Sequence, residues 1–479
     1  MKKKPVFTRR QMLAGALASS AGNAMAQGGR KRPNILFAIS DDQSYLHTSS
    51  SGCKAVSTPN IDRVAQSGVR FTHSFCSSPS CTPSRGAILT GQHFWRLGEG
   101  GNLWSSLPTT FSLYPDLLES AGYHVGLQGK GWGPGNLKAA ARSRNPAGPG
   151  FKDFESFLQS RPKDSPFCFW FGSIDPHRPY DKGSGVKSGI KLDAIEVPPW
   201  LPDHPTVRED IADYLLEIQR FDSDLGAILA AIEKSGELDN TLVVVTSDNG
   251  MPFPRAKTNL YDSGTRMPLA ISWPATIPGG RVVDDFVSHT DFAPTFLDAA
   301  GLPVPEATSG RSLLPILQSK KKGQVEESRD RVFTGRERHT QMRAGGVGYP
   351  MRAVRTRDFL YIRNYQPDRW PSGDPPNFGD IDNGPSKEFV LMHNDSPEYE
   401  KFYRLACAKR PPEELYDLKL DVAQQANVAA DPKYAKQREK LSKMLQDQLT
   451  RTQDPRATGE KVIWDTSPYY GNANPQSRK

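Results

Sequence analysis

Cysteine is scarce in this chain. Its 479 residues hold five, Cys53, Cys76, Cys81, Cys168 and Cys407. Their spacing fits no zinc pattern, and their odd number leaves at least one thiol unpaired. If Cys81 is kept for chemistry, the other four allow up to two bridges, which sequence alone does not pair. Long apolar runs are also missing. Nothing beyond the first residues is long and apolar enough for a spanning helix, so no permanent membrane span is expected. No internal repeat is found, which excludes solenoids and propellers. Acidic residues are absent from 1–26, where Lys2, Lys3, Lys4, Arg9 and Arg10 lie, and without that segment the formal charge falls from +8 to +3. So small an excess gives no case for a nucleic-acid partner, although it suits an anionic substrate.

Residues 1–26 read as an export signal. A basic start precedes Thr8-Arg9-Arg10-Gln11-Met12-Leu13, a twin-arginine pattern. A weakly apolar run from Met12 to Ala21 follows, then Ala24-Met25-Ala26, a small-x-small cleavage site. The expected partner is the twin-arginine translocase, and the expected location is the periplasm or the medium of a bacterium.

Hydrophobic residues make up 37% of the chain, with 41 Gly and 40 Pro, as in a loop-rich α/β protein. Asn34 to Ser40, Pro166 to Ile174 and Thr241 to Ser247 are continuous apolar or β-branched runs. They read as buried strands of a mostly parallel sheet. Val69 to Phe75, Tyr123 to Gln128 and Pro268 to Trp273 add further strands. The strongest helix is expected over Thr206 to Ser235, where Thr206 and Glu209 have capping-box spacing and apolar residues recur every three or four positions. Another is expected over Thr290 to Ala300, and a polar one over Tyr434 to Thr450. From about Gln324 charged and Pro-rich segments alternate with short strands such as Phe359 to Arg363.

Four strands end in polar groups: Asp41-Asp42, Lys130, Asp175 with His177, and Asp248-Asn249. Open α/β sheets bind ligands at such carboxyl ends. Asp41, Asp42, Asp248 and Asn249 offer only oxygen, which selects a hard cation, Ca²⁺ or Mg²⁺, over zinc. Arg85, Lys130, His177 and Lys257 add positive charge and proton donors. Together they suit a tetrahedral oxyanion, sulfate or phosphate. Cys81 opens a short helix that carries Pro83 in its first turn and Gly91 as a C-cap. That position favours an anion, and Arg85 lies one turn on.

Cys81-Thr82-Pro83-Ser84-Arg85 followed by Leu89-Thr90-Gly91 resembles the signature of the type I sulfatases. Supporting segments are Thr58-Pro59-Asn60-Ile61-Asp62, Gly129-Lys130, Asp248-Asn249-Gly250, Gly310-Arg311-Ser312-Leu313 and Glu414-Leu415-Tyr416-Asp417. The resemblance implies an alkaline-phosphatase-like α/β fold, with helices flanking a large, mostly parallel sheet. A smaller C-terminal α+β domain would carry an antiparallel sheet. It further implies that a formylglycine-generating enzyme oxidises Cys81 to formylglycine (3-oxoalanine), in the cytoplasm if export is of folded protein. Asp41, Asp42, Asp248 and Asn249 would ligate calcium, with residue 81 completing the shell and magnesium as the alternative ion. Arg85 would orient the formylglycine hydrate, Lys130 and Lys257 would bind sulfate oxygens, and His177 would stand near the leaving atom. One position departs from the pattern: Trp132 stands where the family carries histidine two residues after its lysine. His339 and His93 are candidates to take over its part.

Ser247 to Pro254, Thr258 to Tyr261, Asp175-Pro176-His177-Arg178 and Tyr349-Pro350-Met351-Arg352 are similar, more narrowly, to N-sulfoglucosamine sulfohydrolases. In that group Asp175 and Arg178 would face the sugar. His339, Arg343 and Arg352 are possible further substrate contacts. The expected organisation is a signal over 1–26, a catalytic domain over 31–324 and a smaller domain over 325–479 with a poorly ordered tail from about Arg451. The expected activity is sulfate removal from a sulfated carbohydrate, N- or O-linked. A phosphodiesterase or phosphonate monoester hydrolase, and a non-catalytic glycan-binding protein, are the alternatives on the same scaffold.

Overall fold

A computed structural model describes residues 31–472, and the export signal expected over 1–26 lies outside them. Seven strands form the main sheet: β1 (Asn34–Ser40), β2 (Val69–Phe75), β3 (His124–Gly129), β4 (Phe167–Gly172), β5 (Thr241–Ser247), β6 (Arg266–Ser272) and β7 (Arg281–Ser288). Their order is β3-β4-β1-β5-β6-β2-β7. The first four run parallel, β6 is antiparallel to both its neighbours, and β7 is parallel to β2.

Alternation along β1 explains the layering. Ile35, Phe37 and Ile39 face one core with Phe292 and Phe296 and with Ile88 and Leu89 of helix α2 (Cys81–Thr90), which follows α1 (Pro59–Ser67). Leu36 and Ala38 face the other core, against Phe221, Leu225 and Ile228 of α3 (Pro205–Lys234). With both faces covered, every β1 residue is buried, which is why the strand reads as an unbroken apolar run.

A second sheet begins at β8 (Arg331–Arg336) and continues through β9 (Met351–Thr356), β10 (Phe359–Asn364) and β11 (Glu413–Asp417). It is antiparallel, in the order β11-β10-β9-β8. Helix α4 (Ala435–Arg451) lays Leu441, Leu445 and Leu449 on it, beside Val354 and Tyr361.

Several local readings are corrected. The N-cap of α3 is His204, whose side chain accepts from the Thr206 N–H, so the Thr206–Glu209 capping box does not form. Pro205 takes the first helical position, and this moves the start back by one residue. The expected helix from Thr290 is a 3-10 turn over His289–Asp291 followed by a helix over Phe292–Ala299. Strand β7 has no continuous apolar pattern in the sequence because Asp284 and Asp285 interrupt it. Both are tied down, Asp284 accepting from Thr72 Oγ1 and Asp285 from the Val325 and Glu326 N–H groups. All five cysteines are free thiols, so the two bridges that sequence allowed are not formed.

The stretch from Arg451 is also packed, where composition suggested little order. Trp464 is 1% exposed and donates its indole N–H to Gly98 O at 2.9 Å. Arg352 is clamped between Asp454 and Glu337. A single large aromatic anchors an otherwise polar segment, and composition averages hide such a contact. Trp464→Ala is expected to destabilise the protein by about 3 kcal/mol or more, read as a lowered thermal unfolding midpoint. An unchanged midpoint would mean that the segment contributes nothing to the fold.

Candidate active site

The main sheet delivers the polar groups to one edge. Backbone bonds stitch the strand ends together: Asp41 N–H donates to Asp175 O at 3.0 Å, Asp248 N–H to Ser40 O at 3.2 Å and Lys130 N–H to Gly172 O at 2.7 Å. Gly129 makes the last turn with φ +76°, where an added Cβ would lie 2.2 Å from Gly172 O. Only glycine fits that turn. Asp42 also sits at positive φ, 74°, as do Arg255 at 63° and Thr258 at 69° on either side of Lys257. Backbone strain of this kind gathers where side chains must be aimed.

Helix α2 points its N-terminus at this edge, with Cys81 in its first turn. Arg85, fully buried, donates from Nε to Asp248 Oδ2 at 2.8 Å and from Nη1 to Lys130 O at 2.7 Å and Gly131 O at 3.1 Å. Its Nη2 is 3.5 Å from Asp41 Oδ1. Cys81 Sγ is 3.6 Å from the same oxygen. Lys130 Nζ pairs with Asp41 Oδ2 at 2.5 Å, and Lys257 Nζ with Asp42 Oδ2 at 2.7 Å and Asp382 at 3.0 Å. His177 Nε2 stands 3.8 Å from Asp42 Oδ2. Its Nδ1 meets Arg178 O at 2.6 Å. A carbonyl only accepts, so Nδ1 carries the proton and Nε2 faces the cleft.

The cleft has a volume of 600 Å³ and is lined by Cys81, Lys130, His177, Lys257, His339 and Asp382, among others. His339 meets Ser80 Oγ through Nδ1 at 2.8 Å. A side recess of 360 Å³ shares Lys130 and His177 and adds Asp175, Arg178 and Glu217. There Arg178 donates from Nη1 and Nη2 to the two carboxylate oxygens of Asp210, each at 2.7 Å, and from Nε to Pro252 O. Its charge is therefore already matched within the recess wall. Arg343 and Arg352 are buried in ion pairs, with Asp380 and with Asp454 and Glu337. His93 stacks on Trp95 beyond the opposite end of α2. Trp132 is 4% exposed and packs in the core on the α2 side of the sheet, and it also lines the cleft.

The electrostatics follow from this crowding. Burial alone would raise Asp41, but Lys130 and then Arg85 hold it well below the usual carboxylate range. Burial pushes Asp248 up to about 6 against the pull of Arg85, with Asp41 adding to the rise. Lys257 stays well above its ordinary value because Asp382 and Asp42 outweigh its burial. Burial first, with Asp248 and Asp41 adding to it, pushes the Cys81 thiol well above the usual range despite Lys130. A buried, protonated thiol is a poor nucleophile. Burial takes His339 down to about 3, so it is a neutral imidazole at pH 7.

The residues fit a hard cation. Donor atoms of Asp41, Asp42 and Cys81 all lie within 4.8 Å of one another, and Asn249 Oδ1 is buried with no hydrogen-bond partner. Asp248 is already engaged, with Oδ1 accepting from the N–H groups of Asp42 and Asn249 and Oδ2 from Arg85. Sequence reasoning missed Asp382 and Glu217. Asp382 arrives from the C-terminal part of the chain, and Glu217 lies in the middle of α3 in no recognisable motif. Only the fold puts either beside the cleft.

The chain resembles known proteins over most of its length. Residues 33–140 and 150–302 match the family described as Sulfatase, and residues 255–395 match N-sulphoglucosamine sulphohydrolase, C-terminal. The chain is 31% identical to N-sulphoglucosamine sulphohydrolase of Homo sapiens, over 88% of this chain and 90% of that protein. It is 24% identical to an N-acetylglucosamine-6-O-sulfatase of Bacteroides thetaiotaomicron, over 95% and 92% of the two chains. A solved structure in complex with its substrate D-glucosamine-2-N,6-O-disulfate superposes with a TM-score of 0.63 at 22% identity, over 90% of this chain and all of that one. A phosphonate monoester hydrolase from Silicibacter pomeroyi superposes with a TM-score of 0.66 at 18% identity, over 92% and 100% of the chains, a likeness of fold.

Glu217 and Asp175 share a hydrogen bond, and burial followed by Asp175 pushes Glu217 up to about 7. The folded state then binds this proton more tightly than the unfolded chain, whose glutamates titrate near about 4.3. The resulting stability is complete below that value and is lost as pH rises through about 7. The unfolding midpoint is expected to fall from about pH 5 to about pH 8 less steeply in Glu217→Gln than in the parent. Equal slopes, measured by thermal denaturation, would remove Glu217 as the source.

Proposed function

Since this chain belongs to the sulfatase family, we propose that it removes sulfate from a sulfated amino sugar, using a formylglycine made from Cys81 and a bound calcium ion. One observation carries this reading: a buried helix N-terminus presents Cys81 to an oxygen-rich cation site with Lys130 and Lys257 on its rim. When present, the cation and the formylglycine hydrate supply an activated hydroxyl nucleophile for attack on sulfur.

The chain's own residues supply the rest. Asp41, Asp42, Asp248 and Asn249 would hold the ion with residue 81 completing the shell, and Asp248 also accepts from the Asp42 and Asn249 N–H groups and from Arg85. Arg85 spans Asp248 and the Lys130 carbonyl, and so holds the start of α2 against the strand ends. Lys130 and Lys257 remain cationic and bind the sulfate oxygens as charge builds on them. His177, with Nδ1–H donating to Arg178 O, turns a bare Nε2 to the cleft, and that nitrogen would have to take up a proton, giving the imidazolium, before passing it to the departing oxygen or nitrogen. Of the two candidate histidines, His339 lines the cleft beside Trp132 and His93 does not, so His339 would serve the step that releases sulfate, with Ser80 to orient it.

The N-sulfated substrate is favoured by the 255–395 match and the human relative, and the O-sulfated one by the Bacteroides relative. Residues 1–26 would route the enzyme through the twin-arginine translocase to the periplasm or the medium, after a formylglycine-generating enzyme has converted Cys81.

The test has four readouts. Mass spectrometry of the Cys81 peptide, from protein made in its native host, is expected to find the aldehyde; an unmodified thiol would count against the mechanism. A panel of N- and O-sulfated saccharides and phosphate diesters is expected to give fastest turnover on a sulfated amino sugar; faster phosphodiester cleavage would overturn the assignment. Lys130→Ala and Lys257→Ala should each lower kcat by about a hundredfold or more. Chelation should abolish turnover until calcium is restored.

A further inference from the structure

Helix α2 has two ends, and each opens on a hollow. Its N-terminus meets the catalytic cleft. Its C-terminus, where Gly91 O accepts from the Ser309 and Gly310 N–H groups, lies at a groove of 1020 Å³. The two hollows share no lining residue. A ten-residue helix separates them by about 15 Å.

The groove is basic. Seven of its lining residues are Lys or Arg and two are acidic. This is a local property. Leaving out the eight basic residues in 1–30 and 473–479, the described chain holds 53 basic and 53 acidic residues. A body with no net charge therefore concentrates five excess cations in one groove.

Three of the seven are matched: Arg329 by Asp291, Arg331 by Asp330 and Lys443 by Asp447. Arg96, Arg311, Lys440 and Arg451 have no carboxylate in ion-pair reach among the described residues. Arg96 and Arg311 instead donate to carbonyl and hydroxyl oxygens of Ala307 and Ser328, contacts that leave the charge uncancelled. Lys440, Lys443, Asp447 and Arg451 step by three and four residues, so they form one stripe on α4. The stripe is held in place because Leu441, Leu445 and Leu449 anchor the helix to the second sheet. Arg96 and Arg311 come from the main domain and line the same groove.

The chemistry favours sulfate on a saccharide over a nucleic acid. Guanidinium forks match a tetrahedral oxyanion through paired bonds. Binding of single-stranded nucleic acid draws on exposed aromatic faces. Here Phe286 and His93 are buried, 2% and 5% exposed, with their rings stacked on His73 and Trp95, and Phe333, half-buried, packs against the core under α4.

We propose that this groove is a second, non-catalytic binding site for a sulfated polysaccharide chain. The inference rests on the reading of the catalytic cleft as one for sulfated saccharides. Holding the polymer at the groove raises the local concentration of its sulfated units at the cleft.

The test uses the full chain with Arg311→Glu, Lys440→Glu and Arg451→Glu combined, three exposed positions outside the cleft. Heparin binding is measured by titration calorimetry at several salt concentrations, for the parent and the triple variant. The variant is expected to bind about tenfold or more weakly, with a flatter salt dependence. Its turnover of a small sulfated monosaccharide should match the parent's, while KM on the polymer rises. If the triple variant folds poorly, Arg311→Gln with Lys440→Gln serves the same purpose with a smaller loss. Heparin binding unchanged by either variant would overturn the proposal. So would polyphosphate or single-stranded DNA binding as tightly as heparin and losing as much in the variant, which would make the groove a general polyanion site. Repeating the titration with Cys81→Ala, which needs no turnover, keeps this result separate from failure of the sulfatase mechanism.

Discussion

Asp41, Asp42 and Asp248 are buried at one sheet edge, and the fold around them is arranged to neutralise their charge. Unpaired carboxylates there would cost several kcal/mol each. Arg85, Lys130 and Lys257 supply the matching charges, and each comes from a different element: a helix, a strand end and a long loop. The cluster is thus balanced by itself. A divalent cation added to it makes the edge positive, the state suited to an anionic group.

Neutralisation also ties the two sheets together. Lys257 is shared between Asp42 of the main sheet edge and Asp382 of the C-terminal part. Asp380, two residues before, accepts from Arg336 and Arg343, and Arg336 also donates to the carbonyl of Thr258, next to Lys257. The second sheet therefore bears directly on the lysine of the cleft. Farther out, Glu337 and Asp454 hold Arg352 and Arg456 and draw in the last described segment. The match over residues 255–395 takes in Asp380, Asp382 and three of the four strands of the smaller sheet.

Helix α2 links the two anion-facing regions. It is buried along its whole length, an unusual state for a segment containing Arg85, Ser84 and Thr82. Its polar side chains find partners: Ser84 in Asp248 O, Thr82 in Pro134 O, and Arg85 in Asp248 and two carbonyls, with Arg85 Nη2 left only the longer ion-pair approach to Asp41. A helix so constrained fixes the relation between cleft and groove. The cleft is lined by paired charges, whereas the groove carries unmatched ones. The first arrangement suits chemistry on one group, the second suits retention of a repeating polyanion.

Much of this was legible in the chain itself, because it depends on local pattern. Unbroken apolar runs mark strands covered on both faces, and the residues just past them lie at the carboxyl edge. Asp41, Asp42, Lys130, His177, Asp248 and Asn249 could therefore be grouped before any coordinates, and Cys81 could be placed at a helix start. What the sequence could not carry was partner choice across long separations. Whether Arg178 faces a sugar or Asp210, whether His93 or His339 reaches the cleft, and whether Asp382 touches Lys257 depend on how loops and the second sheet dock. The same holds for the basic groove, whose cations are scattered from Arg96 to Arg451 within a chain body of no net charge. Hydrophobic periodicity determines the elements through short-range sterics and burial. Charge pairing between distant segments is decided only when packing brings them together, since no local signal records which buried carboxylate an arginine will meet.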